Sequence, residues 1–419
     1  MRIVPTVIRR QLDPLRLPGF RYLFYATLGS SLGTLLAAIA LAIDVKDRTN
    51  SGLWVGAVLV VEFLPTIVVG LLLGPLLDRL DRRSLMLAAD ALRAAVFVAL
   101  PFAGSAAEVV GLALVAGLAT GFFRPAVFAG VPNMVPEDEL PKANALLQGI
   151  ENVSWAIGPV IGGVLTAAAG PSAAYAINAA SFVVSFALLL RIPARDLQSE
   201  RALSRGHWRD LADGFLAALR SRSMLAVLVA WGIASLAMGA GNTSEVFLAK
   251  NTFSSGDFGY GLLYGAIGAG LVVGSFASAP LLERFGVGVV YTTGLVTMAA
   301  GYAAAGASPN VWIAALCCLV IGVGNGGAVA CNALLVQRGT FDLLRGRALT
   351  FVMSATYALV GIGSVLGGAF VHAAGPRWIW AGAGATLLVA GFSALGLTRR
   401  LGESPAPEPE LGPAALVAD

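Results

Sequence analysis

The residues with chemistry to offer are few, and most are carboxylates set inside apolar sequence. Glu62 falls about ten residues into the apolar run 53–77, which as a helix rising ~1.5 Å per residue puts it about 15 Å deep. Glu151 falls at similar depth in the run 141–168. A charge in hydrocarbon is costly, so an acid kept there needs a reason. Two are open: burial favours the neutral form of a carboxyl, which makes Glu62 and Glu151 candidate proton carriers, and either could equally sit in a structural hydrogen bond or ion pair. Asp90 and Arg93, three apart, share a helix face and are expected to pair. With Asp78 and Arg124 they form a candidate charge cluster near one membrane edge, able to latch one arrangement of the helices or simply to fix their packing. Asp44 and Glu245 lie nearer the other edge, where they either draw cationic ligands or line a solvated wall. Phe63, Trp155, Phe186, Trp231 and Phe247 are candidate walls of an amphiphile-binding cavity, although such residues also face lipid or neighbouring helices.

No catalytic constellation accompanies these groups. His207 and His372 are the two histidines, and neither lies in a metal-ligand pattern. Cys317, Cys318 and Cys331 sit in apolar sequence without ligand spacing and read as packing residues. There is no Gly-x-x-x-x-Gly-Lys phosphate loop, so ATP hydrolysis lacks its machinery. The expectation is a chain that is not an enzyme and uses no cofactor and no metal.

The elements that must position these residues follow from composition. Of 419 residues, 57% are hydrophobic and 12% charged, against about 25% charged in soluble domains. Apolar runs long enough to cross about 30 Å of hydrocarbon lie near 20–45, 53–77, 85–104, 108–134, 141–168, 172–191, 223–249, 259–282, 287–306, 311–336, 345–373 and 377–397. All are read as helices, because an isolated strand leaves its backbone unpaired in lipid. The first 21 residues carry five arginines and no apolar core, so no cleavable signal is expected. Most Lys and Arg fall in the loops on the side of the N-terminus, which places both termini in the cytoplasm. Those loops also account for the net charge of +4, with no nucleic-acid partner implied. The chain then divides into a six-helix bundle with a basic leader (1–191), a charged cytoplasmic linker containing an amphipathic helix (192–222), a second six-helix bundle (223–398) and a proline-rich, disordered cytoplasmic tail (399–419).

The halves repeat. Pro75-Leu-Leu-Asp-Arg79 recurs as Pro280-Leu-Leu-Glu-Arg284, Gly158/Gly162/Gly163 as Gly363/Gly367/Gly368, and Gly170-Pro171 as Gly375-Pro376, all at an offset of 205. Three matches in one register imply two six-helix units of like orientation.

Two stretches are specific enough to compare with a family. Between the second and third runs, Gly74, Asp78, Arg79, Arg82 and Arg83 make a short, charged, water-facing turn, and this resembles the signature loop of the major facilitator superfamily, with Asp81 where the family often has Gly. Ser154-Trp155-Ala156-Ile157-Gly158-Pro159-Val160-Ile161-Gly162-Gly163 resembles the antiporter motif of the export-type members, with Ser154 in place of the first Gly. Here Gly158, Gly162 and Gly163 offer a close-packing face and Pro159 a bend. Phe123-Arg124-Pro125-Ala126, Val131-Pro132-Asn133-Met134-Val135-Pro136 and Ala143-Asn144-Ala145-Leu146 are similar to the drug-proton antiporter branch that contains macrolide and enterobactin exporters.

The resemblance implies an all-α fold of twelve transmembrane helices in two six-helix bundles. It also implies proton-coupled efflux of small hydrophobic or amphiphilic compounds from the bacterial cytoplasm by a monomer in the bilayer. Two positions depart from the branch: Gly117 stands where relatives carry Arg before Gly121, and Thr34 follows Gly33 where many have an acid. These departures favour a rival reading, an uncoupled facilitator or importer. A second rival is a non-transporting sensor or scaffold that docks partners on the linker and tail.

Overall fold

The computed structural model describes residues 11–72, 80–197, 221–339 and 345–399. Gly74, Asp78 and Arg79, the amphipathic linker segment and the proline-rich tail lie outside the described residues, as does the side chain of Phe63. The described residues are mostly helical, and no strand occurs among them.

The helices follow the apolar runs. They are α1 (Pro18–Thr49), α2 (Gly52–Leu72), α3 (Arg82–Ala99), α4 (Ala106–Gly130), α5 (Leu140–Ala169), α6 (Pro171–Leu189) and α7 (Arg222–Thr252). A 52-residue stretch, Gly256–Ala307, follows and is broken at Gly286 into α8 (256–285) and α9 (287–307). The last three are α10 (Val311–Gly339), α11 (Arg345–Ala374) and α12 (Pro376–Thr398). Gly286, at φ 75° and ψ 164°, takes a backbone conformation that only glycine adopts readily. The expected four-residue connection between α8 and α9 is therefore a single residue, and Glu283 and Arg284 are helical. The two Gly-Pro steps behave alike: Gly170 (φ 77°) and Gly375 (φ 85°) end one helix, and the following proline starts the next. Helix α1 runs past its expected end through Lys46 and Arg48, because Arg48 folds back one turn onto Asp44, Nε to Oδ1 at 2.6 Å.

The packing is twofold. Within the first six helices α1 packs on α5 and α6, α4 on α2 and α3, and α3 on α6. In the second six, α7 packs on α11 and α12, α10 on the α8–α9 stretch, and α12 on that same stretch. These seams are glycine-lined, since lipid offers no hydrophobic drive and close van der Waals contact must hold the helices together. A Cβ on Gly162 would lie 2.5 Å from the Leu36 carbonyl oxygen of α1, and one on Gly363 would lie 2.1 Å from the Leu236 carbonyl oxygen of α7.

Two further seams join the halves, α5 to α8 and α2 to α11. They meet at glycines 205 apart: a Cβ on Gly163 would sit 2.8 Å from Gly261 Cα, and one on Gly368 would sit 2.3 Å from the Gly52 carbonyl oxygen. Both meetings are at the end opposite the arginine-rich loops. At that end Lys250 of α7 also bonds Asp47 of α1 (2.7 Å) and Asp257 of α8 (2.5 Å).

Candidate functional site

A cavity lies between α1, α2, α4 and α5, with Tyr357 of α11 on its far wall. Its apolar lining includes Leu35, Phe97, Phe128, Trp155 and Phe182; its polar lining includes Ser30, Thr34, Thr120, Ser154, Glu62, Arg93, Arg124 and Glu151. It reaches Val127 and Phe128, the last turn of α4 on the arginine-rich side, so it stands on that side of the glycine contacts between the halves.

Helix α2 brings Glu62 to the wall, and Gly117 of α4 sets its depth. A Cβ on Gly117 would lie 2.4 Å from the Val61 carbonyl oxygen and 3.0 Å from Pro65. At this position, where the family resemblance led to an expectation of Arg, the space is taken by the backbone of α2 beside Glu62. No hydrogen bond or ion pair to Glu62 is found among the described residues. Tyr260 and Tyr264 of α8 are within electrostatic range of it. Tyr264 also stacks on Trp155 across the α5–α8 seam, centroids 5.8 Å apart and planes 11° apart.

The two arginines at the cavity are both paired. Arg124 forms an ion pair with Glu151 of α5 and a hydrogen bond with Tyr357 of the other half. Their side chains keep 41% and 25% exposure, open to the cavity. Arg93 is 3% exposed and its Nη2 donates to Asp90 Oδ1 at 2.5 Å. Ser185 of α6 donates to the other Asp90 oxygen at 2.6 Å. The Arg93 guanidinium lies between two rings, 4.2 Å from the Phe123 centroid and 4.4 Å from that of Phe182. A planar, weakly hydrated guanidinium suits this sandwich where an ammonium would not.

The other expected site residues separate from this group. Arg124 pairs with Glu151 rather than with Asp90, so the expected single cluster is two ion pairs on one cavity. Arg82 ties the start of α3 to the carbonyl oxygens of Ala129 (2.9 Å) and Leu197 (3.1 Å). Arg83 bonds the Leu190 carbonyl oxygen (2.8 Å), and Asp81 caps α3 by accepting from the Ser84 amide. Asp44 is buried between Arg48 and Tyr175, whose hydroxyl donates to it at 2.9 Å, so it lines no open wall. Glu245 of α7 is 1% exposed, and neither carboxylate oxygen has a hydrogen-bond partner among the described residues. Tyr302 packs one turn away against Gly241. Of the aromatic candidates with described side chains, Trp155 lines the cavity, Phe186 is half-buried outside its lining, and Trp231 and Phe247 are buried in packing. Gly158, Pro159, Gly162 and Gly163 carry no side-chain chemistry; they seat α5 on α1 and on α8.

Sequence reasoning missed Ser185, Tyr175, Tyr264 and Tyr357. A lone hydroxyl in an apolar helix carries no spacing signal, and the partners of these four lie on other helices.

The long apolar helices among the described residues, their two like halves and a largely apolar cavity beside the junction of the halves are those of a polytopic membrane transporter of major facilitator architecture. The chain belongs to the transmembrane secretion effector family, whose profile matches residues 10–414. It is 27% identical over 372 residues to the multidrug efflux pump Tap of Mycobacterium tuberculosis, covering 85% of this chain and 88% of the relative. It is 25% identical over 211 residues to macrolide efflux protein A of Streptococcus pyogenes, covering 48% and 52%. Among solved structures, its fold is similar to a peptide transporter POT bound to sulfate (TM-score 0.76, 12% identity, 93% of this chain and 99% of the other). It is also similar to a bacterial homologue of the iron transporter ferroportin in its inward-facing state (TM-score 0.71, 17% identity, 92% and 99%).

Proposed function

We propose that this chain exports small hydrophobic or amphiphilic compounds across the bacterial cytoplasmic membrane in exchange for protons. The names of the relatives, multidrug and macrolide efflux pumps, support the direction and the class of cargo. The positive loops put the arginine-rich end and both termini in the cytoplasm. The cavity then faces inward, and the glycine contacts with the Lys250–Asp47 bridge close the outer side. In the other state the two halves rock about the cavity, opening the α5–α8 and α2–α11 seams outward.

One observation carries the coupling. Glu62 is a carboxylate on the cavity wall without a partner among the described residues, whereas Arg93 and Arg124 are already neutralised. A proton on a Glu62 carboxyl oxygen removes a charge from the junction of the halves and changes which arrangement is favoured; coupling requires only that the two states bind proton and cargo differently. Arg124, Glu151 and Tyr357 form the contact between halves that must part and reform. The rival reading, an uncoupled facilitator, draws on Gly117 and Thr34.

Everted vesicles separate the two. Efflux-direction uptake of a dye should follow an imposed pH gradient, stop with an uncoupler, and fall at least about tenfold in Glu62→Gln. Uptake that ignores the uncoupler would establish the facilitator instead.

A further inference from the structure

We infer that the ends of α1, α3 and α6 on the arginine-rich side form a binding site for the phosphodiester headgroup of an anionic phospholipid. This lies away from the cavity and does not depend on what the chain exports.

Three helices build the site. Arg21 and Tyr22 stand in the first turn of α1, Arg83 in the first turn of α3, and Arg191 just past the end of α6. The guanidiniums of Arg21 and Arg191 each lie 5.8 Å from the centroid of the Tyr22 ring, so two helices bring like charges to one ring. Arg83 reaches the same corner. Its Nη2 donates to the Leu190 carbonyl oxygen at 2.8 Å, and its buried Nε has no acceptor among the described residues.

The nearby acids are engaged elsewhere. Asp13 pairs with Arg16 and Lys142, Asp81 caps α3, and Asp196 pairs with Arg195. No carboxylate pairs with Arg21, Arg83 or Arg191 among the described residues. Gathering cations costs Coulomb energy, and an anion set between them removes that cost. Guanidinium forks match the oxygens of a phosphate.

The surroundings choose the source of the phosphate. Helices α3 and α6 pack on α1, α4, α5 and each other and take no part in the seams between the halves, so their outer faces meet lipid. Next to Arg191, Val183, Ala187 and Leu190 form an exposed apolar stripe along α6, and Tyr25 is half exposed one turn into α1. A phospholipid matches both parts, with its phosphate on the arginines and an acyl chain on the stripe. A soluble phosphate ester leaves the stripe unused. The second half does not repeat the site: at the offset of 205, Arg21 becomes Ala226, Tyr22 becomes Val227 and Arg191 becomes Gly396.

Native mass spectrometry of the full chain, offered equal amounts of phosphatidylglycerol and phosphatidylcholine, tests this. The wild type should retain phosphatidylglycerol at least about tenfold over phosphatidylcholine. Arg21→Gln with Arg191→Gln should remove that preference. Arg284→Gln with Arg399→Gln, which takes the same charge from the other half, should leave it unchanged. Equal retention of the two lipids by the wild type, or an equal loss in the two double variants, would overturn the inference, since the attraction would then be diffuse. Should the first double variant not fold, Arg191→Gln alone decides: a reduced preference upholds the site, and an unchanged one refutes it. In thermal unfolding, phosphatidylglycerol should raise the midpoint where its water-soluble headgroup, glycerophosphoglycerol, does not. An equal rise from the headgroup alone would refute the lipid assignment.

Discussion

The two halves share one skeleton and differ in what they bury. Gly158, Gly162 and Gly163 seat α5 on α1 and α8, as Gly363, Gly367 and Gly368 seat α11 on α7 and α2. The polar content does not repeat. The first half holds the ion pairs Asp44–Arg48, Asp90–Arg93 and Arg124–Glu151 among its helices. At the offset of 205, Asp90 becomes Leu295, Arg93 becomes Met298, Arg124 becomes Val329, Glu151 becomes Thr356 and Glu62 becomes Ile267. The second half instead buries Glu245, without a partner among its described residues, where the first half has Ala40. The lesson is a division of labour. Symmetric small residues let the halves fit together in related ways, and asymmetric charges give the cavity its chemistry.

The largest expected break is in the shared skeleton. Gly163→Val should abolish transport, at least about tenfold, because its Cβ would lie 2.8 Å from Gly261 Cα and cannot be relieved by moving one side chain. Gly368→Val should match it within a factor of about three if the seams are equivalent; dye efflux in cells with equal membrane expression is the readout. A severe loss in one and a mild loss in the other would show that the seams do different work.

The next largest effect lies in the asymmetric part. Arg93→Met leaves Asp90 buried with Ser185 as its remaining hydrogen-bond partner, a loss of about 3–5 kcal/mol. Giving the first half the residues of the second, Asp90→Leu with Arg93→Met, should recover most of that stability, because both charges go together. Thermal unfolding in detergent of the single and double variants measures the difference. A double variant as unstable as the single one would mean that the pair does more than neutralise itself.

Glu245→Met should stabilise the chain by about 1–3 kcal/mol, since it removes a buried group with unmade hydrogen bonds. An unchanged unfolding midpoint would indicate that the carboxyl finds a donor. Tyr357→Phe is expected to have the smallest effect, about 1 kcal/mol, by deleting one hydrogen bond between the halves. It should speed opening, read as a higher rate of cysteine labelling within the cavity.

Much of the architecture was legible because hydrocarbon imposes a simple rule on sequence. Run lengths located the helices, and the glycines and Gly-Pro steps repeated at an offset of 205 announced two like halves. The ends were harder to read. Arg48 looked like loop, yet it continues α1 by reaching back to Asp44. The segment 283–286 looked like a turn, yet one glycine suffices for the bend. In the site, Asp90–Arg93 could be read from spacing because both lie on one helix. The partner of Arg124 is 27 residues away on another helix, and no local pattern chooses Glu151 over Asp90. Gly117 could be recognised as a departure from relatives, but its reason, the backbone of α2 pressed against it, is a fact of packing.

The central claim is that two halves pivot about one cavity, so that one end opens as the other closes. Spin labels at Ala168 and Ser254 report the end closed here, and labels at Asp138 and Glu283 report the arginine-rich end; all four residues are exposed. Distances measured by double electron–electron resonance at pH 8 and pH 5.5 should change in opposite senses at the two ends, and both changes should disappear in Glu62→Gln. Two distances that rise together, or that stay fixed while the same labelled protein transports, would contradict the account.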